Sequence, residues 1–400
     1  MDGKQALDYF TKYSYNSLVL IGFWPVPTCK YKQVINFQCI FSFLFLTFSL
    51  VIPQGFRLTQ VWGDIDLMSN VLCTAELPFL VALSKMIILF YLSVLFDKFL
   101  DDWKRKKSDE ELDIMNISAQ FGKKISLLCI FLGQATPVAR LVQIIFENLS
   151  NWSSSDHLKN FTLYIDAYYP YEWNYTPVYE ITCFMEYIGT FMAALAYSGT
   201  DGLFSEIAFH LSGQYHILRH KLFHIVNEID ENTSLTDIDE SFSYIVKFHD
   251  RINSCIDIVE DTFSFMCLVQ LLACSIQFCI QCYLLVLCIT VQQSSPILFD
   301  ILFILVFLTY MTANFYVYCY LAEKLQSESF AFAEAAYICN WYTLPPKKIK
   351  YFLLLIQRGR KPVNLTAGKF CIINLILFAS IIKTSMGYLS FLLTMRSAQK

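Results

Sequence analysis

The sequence predicts an all-α polytopic membrane protein. It has seven transmembrane helices, a cytoplasmic N-terminus, an extracellular C-terminus and a helical anchor on the cytoplasmic side. Three observations predict this. Of the 400 residues, 56% are hydrophobic and only 16% are charged, and the mean hydropathy is +0.45, outside the soluble globular range. Seven segments are long and apolar enough to cross a bilayer. Lys and Arg are divided unevenly between the two sides of those segments. A net charge of -4 leaves no basic field, so nucleic-acid binding has no support.

Residues 1–33 form a cytoplasmic N-terminal segment. Its apolar run Leu18–Trp24 is short, without a basic region before it or a small-residue cleavage site, so it is not a signal peptide. The run ends in Pro25-Val26-Pro27 and reads as a stretch that dips into or lies on the membrane. Residues 34–321 hold the first six spans: Val34–Ile52, Val71–Phe96, Ile125–Glu147, Val178–Thr200, Phe263–Val291 and Ile297–Leu321. Residues 322–369 are the cytoplasmic anchor. Residues 370–400 hold the seventh span, Phe370–Met395, and a short tail. Glu76, Lys85, Arg140 and Glu186 are charges inside the spans.

Segments 1–33, 97–124, 201–262 and 322–369 carry 23 of the 30 Lys and Arg residues. The opposite side holds only Arg57, Lys159, Arg396 and Lys400. Basic loops stay in the cytoplasm, which sets the orientation. Four N-glycosylation sequons, at Asn148, Asn151, Asn160 and Asn174, crowd the 148–177 segment, and glycan transfer is lumenal. Sequons at Asn116, Asn232 and Asn364 fall on the inside and read as chance matches. Seven spans with the N-terminus inside invert the layout of a G-protein-coupled receptor. No Asp-Arg-Tyr follows the third span and no Asn-Pro-x-x-Tyr lies in the seventh.

Most of the fourteen cysteines lie in apolar stretches without zinc spacing, and they read as small packing residues. His216, His220 and His224 recur at steps of four. No carboxylate-rich or cysteine set accompanies them, so they read as a solvated helix face, and neither a metal nor a cofactor is expected. Helical spacing of Phe204, Ile207, Leu211, Tyr215 and Leu218, and of Tyr244, Phe248, Ile252 and Ile256, predicts that the fourth and fifth spans continue as long helices into the cytoplasm. Glu328–Tyr342 reads as a helix, Pro345-Pro346 starts another over Lys347–Gln357, and Gly359–Gly368 is a turn-rich link. In the seventh span Ser380, Thr384, Gly387, Phe391 and Met395 share one mildly polar face. That face must be hidden from lipid, against other helices or along a water-filled path.

The segment from Phe330 to Tyr342 (Phe-Ala-Phe-Ala-Glu-Ala-Ala-Tyr-Ile-Cys-Asn-Trp-Tyr) with Pro345-Pro346 resembles the insect odorant receptors. So do Leu353-Leu-Leu-Ile-Gln-Arg, Lys361-Pro, Leu365-Thr-Ala-Gly, and Leu377-Phe-Ala-Ser with Tyr388. The motifs match over about seventy C-terminal residues, and the inverted layout extends the likeness to the whole chain. The cysteine-rich fifth span is similar to hymenopteran members. The resemblance implies an odorant-specific subunit of a ligand-gated, non-selective cation channel at the plasma membrane of sensory dendrites. Four subunits would surround one pore, with a shared odorant co-receptor as partner and no G protein. It implies that the last span lines the pore through Ser380, Thr384 and Gly387, with Phe391 and Met395 at the apolar gate. Phe391 departs from the smaller aliphatic residue of the co-receptor pattern, and Thr394 stands where a glutamine is usual.

The resemblance further implies a pocket for small volatile or lipid-like apolar odorants in the outer half of the membrane. The residues offered there are Glu76, Phe79 and Leu80; Gln134, Thr136 and Arg140; Phe184, Tyr187 and Phe191; and Phe303, Phe307 and Tyr310. A gustatory receptor of the same superfamily is the near alternative, distinguished by independence from the co-receptor. A secondary transporter would show internal repeats, and none is found. An enzyme has no catalytic set to support it.

Overall fold

The computed structural model describes residues 3–24, 32–89, 92–105, 108–152, 161–228, 235–290, 297–343 and 346–399. The chain is built from helices: α1 (Gly3–Phe10), α2 (Lys12–Leu20), α3 (Lys32–Leu46), α4 (Ile52–Gln60), α5 (Ile65–Val71), α6 (Leu77–Leu89), α7 (Ser93–Lys104) and α8 (Asp109–Trp152). There follow α9 (Val178–Glu228), α10 (Leu235–Thr290), α11 (Ile297–Ile338), α12 (Pro346–Gly359) and α13 (Leu375–Gln399). By length and composition Phe37–Gln60, Asp109–Asn148, Thr236–Thr290 and Leu298–Ile338 can cross a membrane, and Leu77–Leu89 and Leu375–Phe391 are shorter apolar helices. The fourth expected span is the first part of α9.

Two wide π turns interrupt the early helices, at Thr47–Val51 between α3 and α4 and at Leu72–Glu76 between α5 and α6. Each ends two residues before a proline, Pro53 and Pro78. Proline offers no N–H and its ring crowds the carbonyl four residues back, so the ladder widens there without breaking. Pro137 lies inside α8, and Thr136 Oγ1 donates to Gly133 O at 2.9 Å, the carbonyl that proline leaves without its N–H.

Antiparallel α8 and α9 form the spine of the bundle. A Cβ at Gly133 would stand 2.7 Å from Ser198 Cβ, and one at Gly202 would stand 2.5 Å from Ser126 Oγ, so small residues set the close approach. The N-terminal helix α2 packs on both α8 and α9. Leu18, Ile21 and Phe23 are buried there, while Leu20 is exposed.

Helices α9 and α10 run on well beyond the expected fourth and fifth spans, to Glu228 and from Leu235. The anchor differs in one respect: the helix expected at Glu328–Tyr342 is the end of α11, continuous with the sixth span. Phe352 on α12 is fully buried and meets Phe242 edge-on at 4.8 Å. The turn-rich link folds into a hairpin, β1 (Thr366–Ala367) against antiparallel β2 (Cys371–Ile372), with Gly368 and Lys369 both at φ 62°. Glu260 of α10 accepts from Thr366 N at 2.8 Å and also binds Thr366 Oγ1.

This hairpin corrects the start of the last helix. Phe370 sits at its tip, 85% exposed. Helix α13 begins at Leu375, where Asn374 Oδ1 accepts from Leu377 N at 2.8 Å and Glu323 Oε2 accepts from Leu375 N at 2.9 Å. Both carboxyl and amide oxygens satisfy N–H groups that a helix start leaves unpaired.

Candidate functional site

A narrow slot opens in the bundle beside segment 161–177, with about 750 Å³ of empty space between and in front of its walls. Helix α11 supplies Phe303, Phe307 and Tyr310, at steps of four and three that stack them along one face. Helix α9 faces them with Thr190, Ala193, Ala194 and Tyr197, and α8 with Thr136, Pro137 and Arg140. Phe79 and Pro78 close the side formed by α6.

The roof is the outer segment 161–177, which folds back into the bundle. Tyr164 is buried, and its hydroxyl donates to Pro137 O at 3.0 Å. Arg140 Nε donates to Tyr164 O at 3.0 Å. Glu186, buried on α9, accepts from Ile165 N at 3.2 Å and from the Tyr169 hydroxyl at 3.0 Å. The roof is also tied to α4: Arg57 Nε meets Asp166 Oδ1 at 2.8 Å and Tyr168 N donates to Pro53 O at 3.0 Å.

A wider vestibule, with about 1770 Å³ of empty space, adjoins the slot and shares Asn70, Arg140, Asp166 and Phe303 with it. Arg140 marks the boundary. Its guanidinium carbon stands 5.6 Å from the centre of the Phe303 ring, and Nη1 donates to Gln143 Oε1 at 2.7 Å. Gln143 Nε2 passes the chain on to Asp300 Oδ1 at 2.6 Å.

Beneath the slot is a charge cluster with no access to solvent. Lys85 of α6 is paired with Asp201 of α9, both completely buried. Asp201 also accepts from Asn314 Nδ2 and the Tyr318 hydroxyl of α11, each at 2.6 Å. The Lys85 ammonium sits 3.4 Å over the Tyr197 ring, which forms the slot floor together with Tyr310. The cluster therefore pins α6, α9 and α11 together directly under the cavity.

A sequence profile described as 7tm Odorant receptor matches residues 67–386. The chain belongs to this odorant receptor family. It is 23% identical to odorant receptor 67c of Drosophila melanogaster over 52% of its own length and 48% of that protein. It is 22% identical to odorant receptor Or1 of Anopheles gambiae, over 58% and 60%. The odorant receptor coreceptor of Harpegnathos saltator is 25% identical over 39% of the chain and 31% of that protein. The chain thus matches about half the length of the first two relatives. Its fold is that of the olfactory receptor OR5 of Machilis hrabei in complex with eugenol. The TM-score is 0.82 at 14% identity, covering 99% of this chain and 100% of that one.

Within this family member, the slot contains half of the expected pocket residues: Phe79, Thr136, Arg140, Phe303, Phe307 and Tyr310. The other six do not line it. Phe184 is 62% exposed and Leu80 is 44% exposed, so both point away from the bundle. Tyr187 packs edge-on against Tyr164 at 5.9 Å, and Phe191 packs behind Tyr187 at 6.3 Å. Gln134 and Glu76 stand outside the slot, with buried polar atoms that have no protein partner. The missed residues are Thr190, Ala193 and Ala194. A cavity needs small residues facing large ones, and Phe184, Tyr187 and Phe191 lie on another side of α9 from Thr190, Ala193, Ala194 and Tyr197. The roof residues Tyr164–Asp166 carry no periodic signal.

Among the glycosylation expectations, Asn148 is also corrected. Its amide is buried and lies 3.0 Å from Ile144 O, 3.1 Å from Thr162 O and 3.0 Å from the Tyr179 hydroxyl, leaving no place for a glycan. Asn174 is exposed. Asn160 and the side chain of Asn151 lie outside the described residues. On α13, Ser380, Thr384, Gly387 and Phe391 all face away from the rest of the chain, and nothing lies within 4 Å of a Cβ at Gly387. The opposite face holds the chain: Ser385 donates to Ser275 O at 3.2 Å and Phe378 packs on Phe315 at 5.5 Å. The side chain of Met395 lies outside the described residues.

Proposed function

We propose that this chain is the odorant-binding subunit of a ligand-gated, non-selective cation channel, assembled with an odorant co-receptor in the plasma membrane of a sensory neuron. The observation that carries this reading is the roofed slot set against α11, the same helix that packs on α13 through Phe315 and Phe378. A small apolar odorant held by Phe79, Thr136, Arg140, Phe303, Phe307 and Tyr310 favours whichever arrangement of α11 fits it, and α13 follows that arrangement. Eugenol in the OR5 structure supports a small-molecule ligand in this fold.

The pore is lined by the outward face of α13, with Ser380, Thr384 and Gly387 along it and Phe391 and Met395 as the apolar constriction. That face is unoccupied within one chain, as a pore shared by several subunits requires. The N-terminus is cytoplasmic, residues 322–369 form the assembly anchor, and the outer segment carries glycans at Asn174, with Asn151 and Asn160 as further sequons. Two-electrode recording with and without the co-receptor, against volatiles and long-chain hydrocarbons, tests the reading. Inward cation current that needs both chains and an odorant is the expected result. Current without the co-receptor would point to the gustatory type, and silence across broad panels despite surface expression would overturn the channel role.

A further inference from the structure

The polar groups of the slot are few and are placed at its two ends. At the outer end, Arg140 uses Nε and Nη1 on Tyr164 O and Gln143, and it makes no ion pair within 4 Å among the described residues. A guanidinium has five N–H donors, so donors remain for a ligand. At the inner end, the Tyr310 hydroxyl is buried and completes no hydrogen bond. Asn314, one turn on, is the side chain that approaches this hydroxyl, but the contact falls short of hydrogen-bond geometry, and Asn314 Oδ1 has no partner either among the described residues. A buried hydroxyl without a partner is costly, and a ligand oxygen would relieve that cost. Between the ends the walls are mostly apolar, with Phe303, Phe307, Phe79, Pro137 and the two alanines of α9, and the hydroxyls of Thr136 and Thr190 are used on carbonyls of their own helices. Phe303 marks the level of the cation, and Tyr310 lies seven residues farther along α11, about 10 Å at 1.5 Å per residue.

The charge around the entrance decides the ligand's ionic state. Among the described residues lining the vestibule, Arg57 and Arg140 stand against Asp66, Glu147, Asp166 and Asp300. Arg57 is paired with Asp166, and the remaining acidic groups outnumber Arg140, so the entrance has no net positive field to draw in an anion. The inner end adds no net charge, because Lys85 and Asp201 neutralise each other.

The geometry points to a ligand class: a thin, uncharged molecule, roughly six to ten heavy atoms long, with an apolar middle and an oxygen at each end. The outer oxygen accepts from Arg140, and the inner one exchanges a hydrogen bond with the Tyr310 hydroxyl. This rests on the slot being the odorant site. Hydrocarbons fit the walls and leave both polar ends unsatisfied; fatty-acid anions meet the wrong field.

Two matched sets of probes test it: 4-methoxyphenol, 1-methoxy-4-methylbenzene, 4-ethyltoluene and benzoate as rings, and 1,6-hexanediol, 1-heptanol, octane and hexanoate as chains. Current through the complex with the co-receptor and the thermal shift of the same purified complex are read together. In at least one set the two-oxygen probe is expected to act at concentrations about tenfold below its one-oxygen counterpart, the worth of one such hydrogen bond. Tyr310→Phe, which keeps the ring, is expected to abolish that gap and spare the response to the hydrocarbon. A gap that survives Tyr310→Phe, a hydrocarbon or carboxylate as the most potent probe, or no shift with any probe overturns the ligand class. If the probes shift melting in a Tyr310-dependent way but pass no current, the ligand class stands and the channel reading falls. If long-chain hydrocarbons open the channel while both sets stay silent, the channel reading stands and the ligand class falls.

Discussion

Replacing Lys85 with Met tests the buried charge cluster under the slot. Met keeps most of the side-chain length and removes the charge. Asp201 would retain its hydrogen bonds from Asn314 and Tyr318 but lose its ammonium partner, in a site where both side chains are 0% exposed. Breaking one side of such a pair costs about 3–5 kcal/mol, because the remaining charge stays buried and uncompensated. At an unfolding entropy of about 2.1 cal/mol/K per residue, a chain of this length loses roughly 4–6 °C in melting temperature. Adding Asp201→Asn should recover at least half of the loss, since the remaining amide oxygen still accepts from Asn314 or Tyr318. Thermal melts of the purified complex, followed by size exclusion, compare the three variants with the parent. A Lys85→Met protein that melts with the parent, or a double variant no better than the single one, would refute the claim that this pair pins the three helices.

Other outcomes can be checked in parallel. Asn148→Ala strands the Thr162 backbone, which pairs with that amide in both directions, and should cost about 1–3 kcal/mol in a melt. It should leave the glycan ladder on a gel unchanged, whereas Asn174→Gln should remove one step. In the first half of α10, before the expected fifth span, His249 packs between Tyr215 and Phe332. Burial, aided by the Arg358 guanidinium and opposed by Asp250, lowers its pKa to about 4. The unfolded chain therefore takes up a proton first, near pH 6.5, and stability falls as pH drops from about 6.5 to about 4, by at most about 3 kcal/mol. His249→Phe should flatten that part of the stability curve and change nothing above pH 7. Phe391→Ala should raise the resting current of the assembled channel severalfold; an unchanged leak and selectivity would make this face of α13 a packing surface.

Long helices were readable from the sequence because their signal is periodic over many turns. The reach of α9 and α10 beyond the expected spans follows from repeats such as Phe204, Ile207, Leu211 and Tyr215, all buried. The start of α13 was not readable, because Phe370 is as apolar as the residues after it, and only the caps from Asn374 and Glu323 tell them apart. Half of the slot was legible for the same reason that Phe303, Phe307 and Tyr310 share a face. The other half depends on space, and space is made by Ala193 and Ala194, which look unremarkable in a string of apolar letters. Lys85 and Asp201 are 116 residues apart, so each reads as a lone charge until the fold brings them together.

Helix α11 runs unbroken from Ile297 to Ile338. Its outer turns build the slot, its middle meets Asp201 and Phe378, and its inner end packs against α12. Inserting or deleting one residue in such a helix turns everything beyond it by about 100° and shifts it by about 1.5 Å. An insertion between Tyr310 and Asn314 would therefore misalign the charge cluster, the contact with α13 and the anchor at once. Exchanging Phe303 or Phe307 for another side chain disturbs none of them. Relatives of this chain should therefore diversify their ligands by substitution along this helix while keeping its length, and tolerate changes in length in the outer segment that roofs the slot.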